Sequence, residues 1–210
     1  MSPLVNTDKF IPEQYYHLYN HAVGSDNLFR NRDNFLYFLT KFKDYITPVC
    51  KCYAYCLMPN HFHFLLQIRT FEELDLFQLK RKPDSDIANL DYHKVVMNQL
   101  SRMLNGYAQA YNRMFERKGA LFLDYTRRKE VLSDKYLNNL IYYIHHNPVH
   151  HNICTDIRDW EFSSYHSLCS YKSTVLERAS VISGFGLKND FEDFHIRNQD
   201  RTGFLQEFEF

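Results

Sequence analysis

Two histidines separated by one residue, His61 and His63, are the sequence feature with the clearest capacity for chemistry. They begin the apolar and aromatic run 61–68, which follows a Pro-Asn turn pair and is typical of a β-strand. Alternation along a strand places both imidazoles on one face, with Cα atoms about 6.5 Å apart. Neutral imidazole binds divalent metals, so the pair can hold one ion. By itself, such a pair more often consists of structural or surface histidines.

A tyrosine and an asparagine form the second feature, near the end of a helix predicted over residues 134–147. Tyr143 and Asn147 are four residues apart and therefore lie on one helical face. A phenol and an amide oxygen can then approach the same ion or phosphate. His145 and His146 lie between them, and two interpretations stay open for these histidines: a general base, or a favourable interaction with the helix dipole.

Charge gives a mixed indication about nucleic acid. The 25 basic and 25 acidic residues cancel, and the isoelectric point near 7.2 counts against a nucleic-acid partner. Residues 101–130 nevertheless carry seven basic and three acidic side chains, a net charge of plus four. A solvated helix face and a phosphate-contacting surface explain this excess equally well. The best candidates for phosphate contacts lie in two short basic runs: Lys80, Arg81, Lys82, Arg127, Arg128 and Lys129.

Composition predicts a folded protein. The chain has 210 residues, of which 45% are hydrophobic and 17% aromatic, enough for one domain with a filled core. No apolar run approaches the roughly 20 residues of a membrane span, and the first residues do not resemble a signal peptide. We therefore expect a soluble, cytoplasmic protein without a membrane partner.

Five cysteines, an odd number, do not indicate a disulfide framework in such a protein. Cys50, Cys52 and Cys56 have the same parity and would share one face of a strand. Zinc binding is one interpretation of that pattern. Core packing is the better one, because the three lie in an apolar, strand-like run without a Cys-x-x-Cys pair.

The remaining patterns predict the elements that must position these side chains. Strands are expected near residues 15–23, 50–58, 61–68 and 120–131. Helices are expected over residues 31–46, 92–116 and 134–147, the last ending at Pro148, with a loop over 69–91. This order predicts an α+β fold: a ferredoxin-like (RRM-like) antiparallel sheet with packed helices, plus a helical C-terminal extension.

Together the two motifs resemble a known family. The segment 58–63 reads Met-Pro-Asn-His-Phe-His, and some eighty residues later the segment 143–149 reads Tyr-Ile-His-His-Asn-Pro-Val. This pairing resembles the single-tyrosine HUH transposases of insertion sequences, most of all their REP-associated branch. The segments 119–122, 127–129 and 160–165 are also similar to family segments, and the likeness covers roughly residues 15–170.

The resemblance implies a role for each motif residue. By motif position, His61 and His63 are metal ligands, Asn147 is the third ligand and Tyr143 is the nucleophile. The family uses a divalent ion, Mg²⁺ or Mn²⁺. Its members cleave and rejoin single-stranded DNA that carries a hairpin near the cleavage site, through a covalent 5′-phosphotyrosine intermediate.

Domain organisation and assembly follow from the same resemblance. It implies a catalytic domain over residues 1–150 and a C-terminal extension over 151–210 that packs on or beside it. Monomers and homodimers both occur in the family, so either state is compatible with the sequence. One departure is visible: Asn20-His21-Ala22 stands where family members often have Asn-Arg.

Two other functions compete with the transposase hypothesis. Ferredoxin-like sheets with aromatic faces also bind single-stranded nucleic acid by stacking, so a non-catalytic binding module is one alternative. A degenerate transposase that retains only hairpin recognition is another. The His pair together with a helical Tyr and Asn favours the enzyme, because a binding module has no need of them.

Overall fold

The computed structural model describes residues 7–198, which contain four strands and seven α-helices. In chain order they are β1 (Tyr15–His21), α1 (Arg32–Tyr45), β2 (Cys50–Met58), β3 (His61–Ile68), α2 (Phe71–Arg81), α3 (Tyr92–Met114), β4 (Arg127–Val131), α4 (Asp134–His150), α5 (Tyr165–Cys169), α6 (Arg178–Phe185) and α7 (Lys188–Arg197). The strands form one antiparallel sheet in the order β2-β3-β1-β4. The predicted α+β fold, a ferredoxin-like sheet with packed helices, is confirmed.

Some sequence-based predictions concern other parts of the chain. The first residues, 1–6, and the end of the predicted extension, 199–210, lie outside the described residues. The division of the chain near residue 150 stays a prediction. Between residues 7 and 198, no helix combines the length and apolar character that crossing a membrane requires.

The pairing of the central strands assigns side chains to the two faces of the sheet. Leu18 of β1 lies opposite Phe64 of β3, and both point to the face covered by α1 and α3. There the Phe38 ring of α1 lies 5.3 Å from the Phe62 ring and 4.9 Å from the Tyr107 ring of α3, centroid to centroid. Burying each such aromatic side chain contributes about 1.5–3 kcal/mol. These packed rings hold the central strands in register.

Helix α4 covers the opposite face of the sheet. The Ser133 hydroxyl caps it by accepting a hydrogen bond from the Tyr136 amide at 3.3 Å. Every residue from Leu140 to Pro148 is buried, which is typical of a helix with neighbours on all sides. The sheet packs against one side of α4, and helices α6 and α7 pack against the other side. There the Asn138 side-chain amide of α4 donates to the Gly184 carbonyl of α6.

The prediction that α4 ends at Pro148 was wrong. The helix continues to His150, and the His151 amide still donates to the Asn147 carbonyl at 2.9 Å. A proline removes one hydrogen bond, here to the carbonyl of Ile144. Near the end of the helix that single loss is small beside the burial of the whole segment. The longer helix places His150 and His151 on the same side of α4 as Tyr143.

A hydrogen-bond relay joins β2, α4 and α7. The Phe191 carbonyl can only accept, so the His195 Nδ1 proton is donated to it at 2.8 Å. His195 Nε2 then accepts from His145 Nδ1 at 2.9 Å, and His145 Nε2 accepts from the Ser164 hydroxyl at 2.7 Å. The Ser164 oxygen also accepts from the Tyr55 amide. The relay fixes both histidine tautomers and anchors α7 to the core.

Stability should depend on pH through His195. Burial lowers the pKa of His195 to about 4, so below pH 6.5 the unfolded chain binds a proton that the folded protein does not. Stability is therefore complete above pH 6.5 and decreases as the pH falls towards 4. Between pH 7 and 5, His195 should account for a loss of about 2 kcal/mol in the free energy of unfolding.

Urea unfolding of wild type and His195→Gln across this pH range measures the effect. The variant should show a shallower pH dependence, because glutamine does not titrate. His166→Gln is the matched control, since His166 is exposed. Equal slopes for wild type and His195→Gln would contradict the assignment.

The loop predicted over residues 69–91 was also wrong, because α2 occupies its first half. A capping box starts this helix: the Thr70 hydroxyl accepts from the Glu73 amide at 3.2 Å, and the Glu73 carboxylate accepts from the Thr70 amide at 3.0 Å. Leu74 is its one buried residue in the described structure. The helix therefore has a weaker apolar periodicity than α1, α3 and α4, the helices that the sequence predicts individually.

The three cysteines of β2 pack in the core, as the sequence favours. The prediction that they share one face of the strand was wrong. Cys50, Cys52 and Cys56 are buried thiols without a disulfide. An irregularity between Cys52 and Ala54 shifts the register of β2. As a result Cys52 pairs with Leu66, whereas Cys56 pairs with His63 and points to the α4 side. The three thiols therefore do not converge on one metal.

Candidate active site

A cavity of about 280 Å³ opens between α4 and the adjacent sheet face. Its lining is almost entirely histidine and tyrosine, contributed by β1, β3 and both the middle and the end of α4. The lining residues are Tyr19, His21, His61, His63, Tyr143, His150 and His151. Three of the four residues that the motifs single out therefore meet at one cavity.

Tyr143 lies directly against His63. Their ring centroids are 5.6 Å apart and the rings are nearly perpendicular, at 87°. Tyr143 is only 4% exposed, because the sheet packs against its ring. The strand alternation that directs His63 to the α4 side thus places the predicted nucleophile next to a predicted ligand.

His61 has a nitrogen suited to metal binding. Its Nδ1 lies 2.7 Å from the Asn60 Oδ1, and an amide oxygen only accepts, so Nδ1 carries the proton. The buried Nε2 then holds a lone pair and has no hydrogen-bond partner. Burial, together with His21 and His151, lowers the pKa of His61 to about 2. The imidazole is therefore neutral near pH 7, the form in which it binds a metal.

His63 is neutral for the same main reason. Burial lowers its pKa well below the ordinary value of histidine, and the neighbouring histidines lower it further. An uncompensated positive charge in this cluster is unfavourable. Both members of the pair therefore enter the cavity as uncharged donors of a lone pair.

Asn147 lies behind the cavity wall and does not line it. It is fully buried, and its Nδ2 donates to the Tyr143 carbonyl at 3.1 Å, one helical turn away. Its Oδ1 is a buried acceptor without a hydrogen-bond partner. Leaving such an atom unsatisfied costs about 1–3 kcal/mol, so this oxygen is a candidate to bind a water or a metal ion.

The donor set fits a divalent ion that also binds phosphate. Two neutral imidazoles and one amide oxygen suit Mn²⁺, and Mg²⁺ when phosphate oxygens complete the shell. Within residues 7–198, no three His, Cys, Asp or Glu side chains are arranged to hold a metal ion. A metal at this cavity would therefore need oxygen ligands in addition to the histidines, from the Asn147 amide and from water or phosphate.

Sequence reasoning missed several histidines of this cavity. The His21 ring stacks on His61 with centroids 4.4 Å apart and an angle of 7°. The His151 ring meets His61 edge-on at 4.8 Å. His21 stands at the position where the family often has arginine. Two sequence signals could have identified cavity residues. Residues 17, 19 and 21 alternate along β1 and so share one face of the strand, and His150 lies two helical turns after Tyr143 on the same face of α4.

The two histidines between Tyr143 and Asn147 lie away from the cavity. His145 belongs to the relay with α7, and the His146 ring stacks on Tyr142 with centroids 5.2 Å apart. The Tyr142 hydroxyl donates to the Asn198 carbonyl at 2.6 Å. Neither histidine lines the cavity that holds Tyr143.

The basic run of β4 is divided between the two faces of the sheet. Arg127 pairs with Tyr19 and Lys129 with His17, so both point to the α4 side. The Lys129 ammonium lies 5.4 Å from the Tyr136 ring of α4. Arg128 points the other way and is only 8% exposed. Its guanidinium donates to three backbone carbonyls, those of Thr7, Asp8 and Thr126, so this side chain holds the fold together and is turned away from the cavity.

The second basic run lies on the far side of the molecule. Lys80 and Arg81 end α2, and Lys82 follows it. Arg81 and Lys82 share a surface depression with Asn98 and Arg102 of α3. Because α3 packs on the face of the sheet opposite α4, this run lies on the side of the molecule away from Tyr143.

Comparisons with known proteins agree with the motifs. No family model matches the chain. A protein of Haemophilus influenzae named "Putative REP-associated tyrosine transposase" is 26% identical over 136 residues, which cover 61% of this chain and 69% of that relative. The solved structure of a REP-associated tyrosine transposase bound to a REP hairpin has a similar fold, with a TM-score of 0.53. The two sequences are 14% identical, and the structural alignment covers 84% of this chain and 94% of the neighbour. The family resemblance inferred from the two motifs, to the REP-associated tyrosine transposases, is therefore confirmed.

Proposed function

We propose that this chain cleaves and rejoins single-stranded DNA bearing a hairpin, through a covalent link to Tyr143. The observation that carries the proposal is the contact of Tyr143 with His63, at a cavity where His61 Nε2 lacks a partner. Phosphodiester cleavage requires a nucleophile held beside the groups that bind the phosphate. The hairpin bound to the structural neighbour supports hairpin DNA as the ligand.

In the proposed reaction the Tyr143 hydroxyl oxygen attacks the phosphorus in line with the departing 3′-oxygen. The new bond joins the tyrosine oxygen to phosphorus, and the bond between phosphorus and the 3′-oxygen breaks. The phenol gives up its proton and the 3′-oxygen takes one, leaving a 5′-phosphotyrosine and a 3′-hydroxyl. Another 3′-hydroxyl can attack this link and join strands without ATP.

The side chains of the cavity divide the remaining tasks. His61, His63 and Asn147 would hold the ion, and His21 with His151 would limit the access of water around it. A divalent ion held there, Mg²⁺ or Mn²⁺, would polarise the phosphate and stabilise the charge on the departing oxygen.

Mapping a covalent adduct tests the proposal. The protein is incubated with Mn²⁺ and a hairpin-bearing single-stranded oligonucleotide, digested, and analysed by mass spectrometry. The nucleotide should be found on the peptide that contains Tyr143, and chelation with EDTA should prevent its formation. Modification of another tyrosine would assign the role of nucleophile to that residue and not to Tyr143. Tight DNA binding without any adduct, on every hairpin substrate, would favour the non-catalytic binding module.

Arg127 should contact the reacting strand. Its place opposite Tyr19 directs the guanidinium to the cavity side of the sheet. Arg127→Ala should weaken binding of single-stranded DNA and reduce the slope of log K against log salt by about 0.7, the value for one lost phosphate contact. Fluorescence anisotropy at several salt concentrations measures both quantities.

Arg81→Ala is the matched comparison for Arg127→Ala. It removes the same charge from the far side of the molecule, so it should leave binding of a short unpaired oligonucleotide unchanged. A larger effect of Arg81 than of Arg127 on that oligonucleotide would contradict the proposed strand path.

A further inference from the structure

His17 lies immediately behind the candidate ligand His63. Its Nε2 is 2.9 Å from the His63 Nδ1, and the two rings are stacked with centroids 5.1 Å apart at an angle of 24°. His17 is fully buried and belongs to β1, which pairs with β3 on one side and β4 on the other. The contact between the two rings is therefore buried among the central strands, and the His63 atom that it involves is Nδ1.

One proton must lie between the two nitrogens, and either histidine can supply it. If His17 donated, His63 would accept at Nδ1 and carry its own proton on Nε2, where a metal could not bind. If His63 donates, its Nε2 keeps the lone pair. Only the second arrangement is compatible with His63 as a ligand, and it requires His17 to be an uncharged acceptor.

We propose that His17 is a positioning residue that accepts the Nδ1 proton of His63 and so keeps the His63 Nε2 lone pair available for the divalent ion. The inference rests on the proposed function, which needs His63 as a ligand. Metal-binding histidines generally donate their other ring proton to a neighbouring acceptor, which fixes tautomer and orientation.

The other candidate ligand has the same arrangement with a different acceptor. His61 Nδ1 donates to the Asn60 Oδ1 at 2.7 Å, and its Nε2 is the nitrogen without a partner. Both imidazoles are then held by Nδ1 and present Nε2. Asn60 comes from the turn before β3, whereas His17 comes from the neighbouring strand. The two acceptors are independent, so they can be tested separately.

Two substitutions at position 17 separate positioning from packing. His17→Phe keeps a ring for stacking but removes the acceptor, whereas His17→Gln retains an oxygen that can accept from His63. Long-range ¹H–¹⁵N NMR on the metal-free proteins reports which nitrogen of His63 carries the proton. Calorimetry with Mn²⁺ alone reports the dissociation constant. His195→Gln is the control, a buried histidine variant on the far side of α4.

In wild type we expect the His63 proton on Nδ1. His17→Phe should move it wholly or partly to Nε2 and weaken Mn²⁺ binding by about 10- to 100-fold. His17→Gln should restore most of the affinity, and His195→Gln should change neither measurement. If His17→Phe keeps the Nδ1 proton and the wild-type affinity, the inference is overturned. If wild type itself binds no Mn²⁺, the proposed function fails. The position of the His63 proton in the metal-free wild type and His17→Phe then shows separately whether the inference about His17 also fails.

Discussion

Tyr143→Phe is expected to abolish the covalent adduct and to slow strand cleavage by about 10⁴-fold or more, as loss of a nucleophile does in other enzymes. The substitution removes one oxygen and keeps the ring. The contacts of that ring with His63 and His17, at 5.6 and 6.0 Å between centroids, should persist. The effect is therefore confined to the chemical step. Single-turnover cleavage of a labelled hairpin oligonucleotide in Mn²⁺ measures it, while DNA affinity should stay near that of wild type.

Tyr142→Phe is the matched control, because the two tyrosines are adjacent and both are buried. The Tyr142 hydroxyl donates to the Asn198 carbonyl on the opposite side of α4, away from the cavity. Its loss should cost about 1 kcal/mol of stability and leave cleavage unchanged. An adduct that survives Tyr143→Phe but not Tyr142→Phe would falsify the assignment of the nucleophile.

His61→Phe should have effects of opposite sign on activity and stability. The variant keeps a ring to stack on His21 and to meet His151, but it has no nitrogen for a metal. Cleavage should fall below detection. The metal-free protein, in contrast, should be at least as stable as wild type, because the substitution removes a buried acceptor without a partner, whose desolvation costs about 1–3 kcal/mol. The Asn60 amide that His61 contacts is exposed and can bind water instead.

Unfolding in EDTA and in Mn²⁺ measures the two effects separately. At a Mn²⁺ concentration 100 times the dissociation constant, wild type should gain about 2.7 kcal/mol. His61→Phe should gain nothing. An equal stabilisation of both proteins by Mn²⁺ would exclude His61 from the binding site.

The elements that carry the motifs could be predicted because their patterns are local. Alternation in β3 and the four-residue spacing in α4 depend only on the residues themselves, and the structure places His63 beside Tyr143. Whether His61, His63 and Asn147 bind metal stays a prediction. The helix α2 was not predicted because a helix with one buried residue, Leu74, has a weaker apolar periodicity than α1, α3 and α4.

Features that depend on pairing between distant segments could not be predicted. Nothing local indicates that Arg127 faces the cavity while Arg128 does not, because alternation separates neighbours without saying which face each one takes. The same holds for His17, whose partner His63 is 46 residues away. A break in register after Cys52 likewise appears only when β2 is paired with β3.

The burial of α4 on all sides affects how a mutational map of this protein should be interpreted. The helix that holds Tyr143 is supported from behind by α6 and α7, through contacts such as those of His145 with His195 and of Tyr142 with Asn198. Disruption of the packing of α6 and α7 against α4, as opposed to the loss of a single hydrogen bond, would therefore displace the nucleophile without touching DNA. Loss of activity from that region should be interpreted as altered geometry unless DNA affinity falls as well.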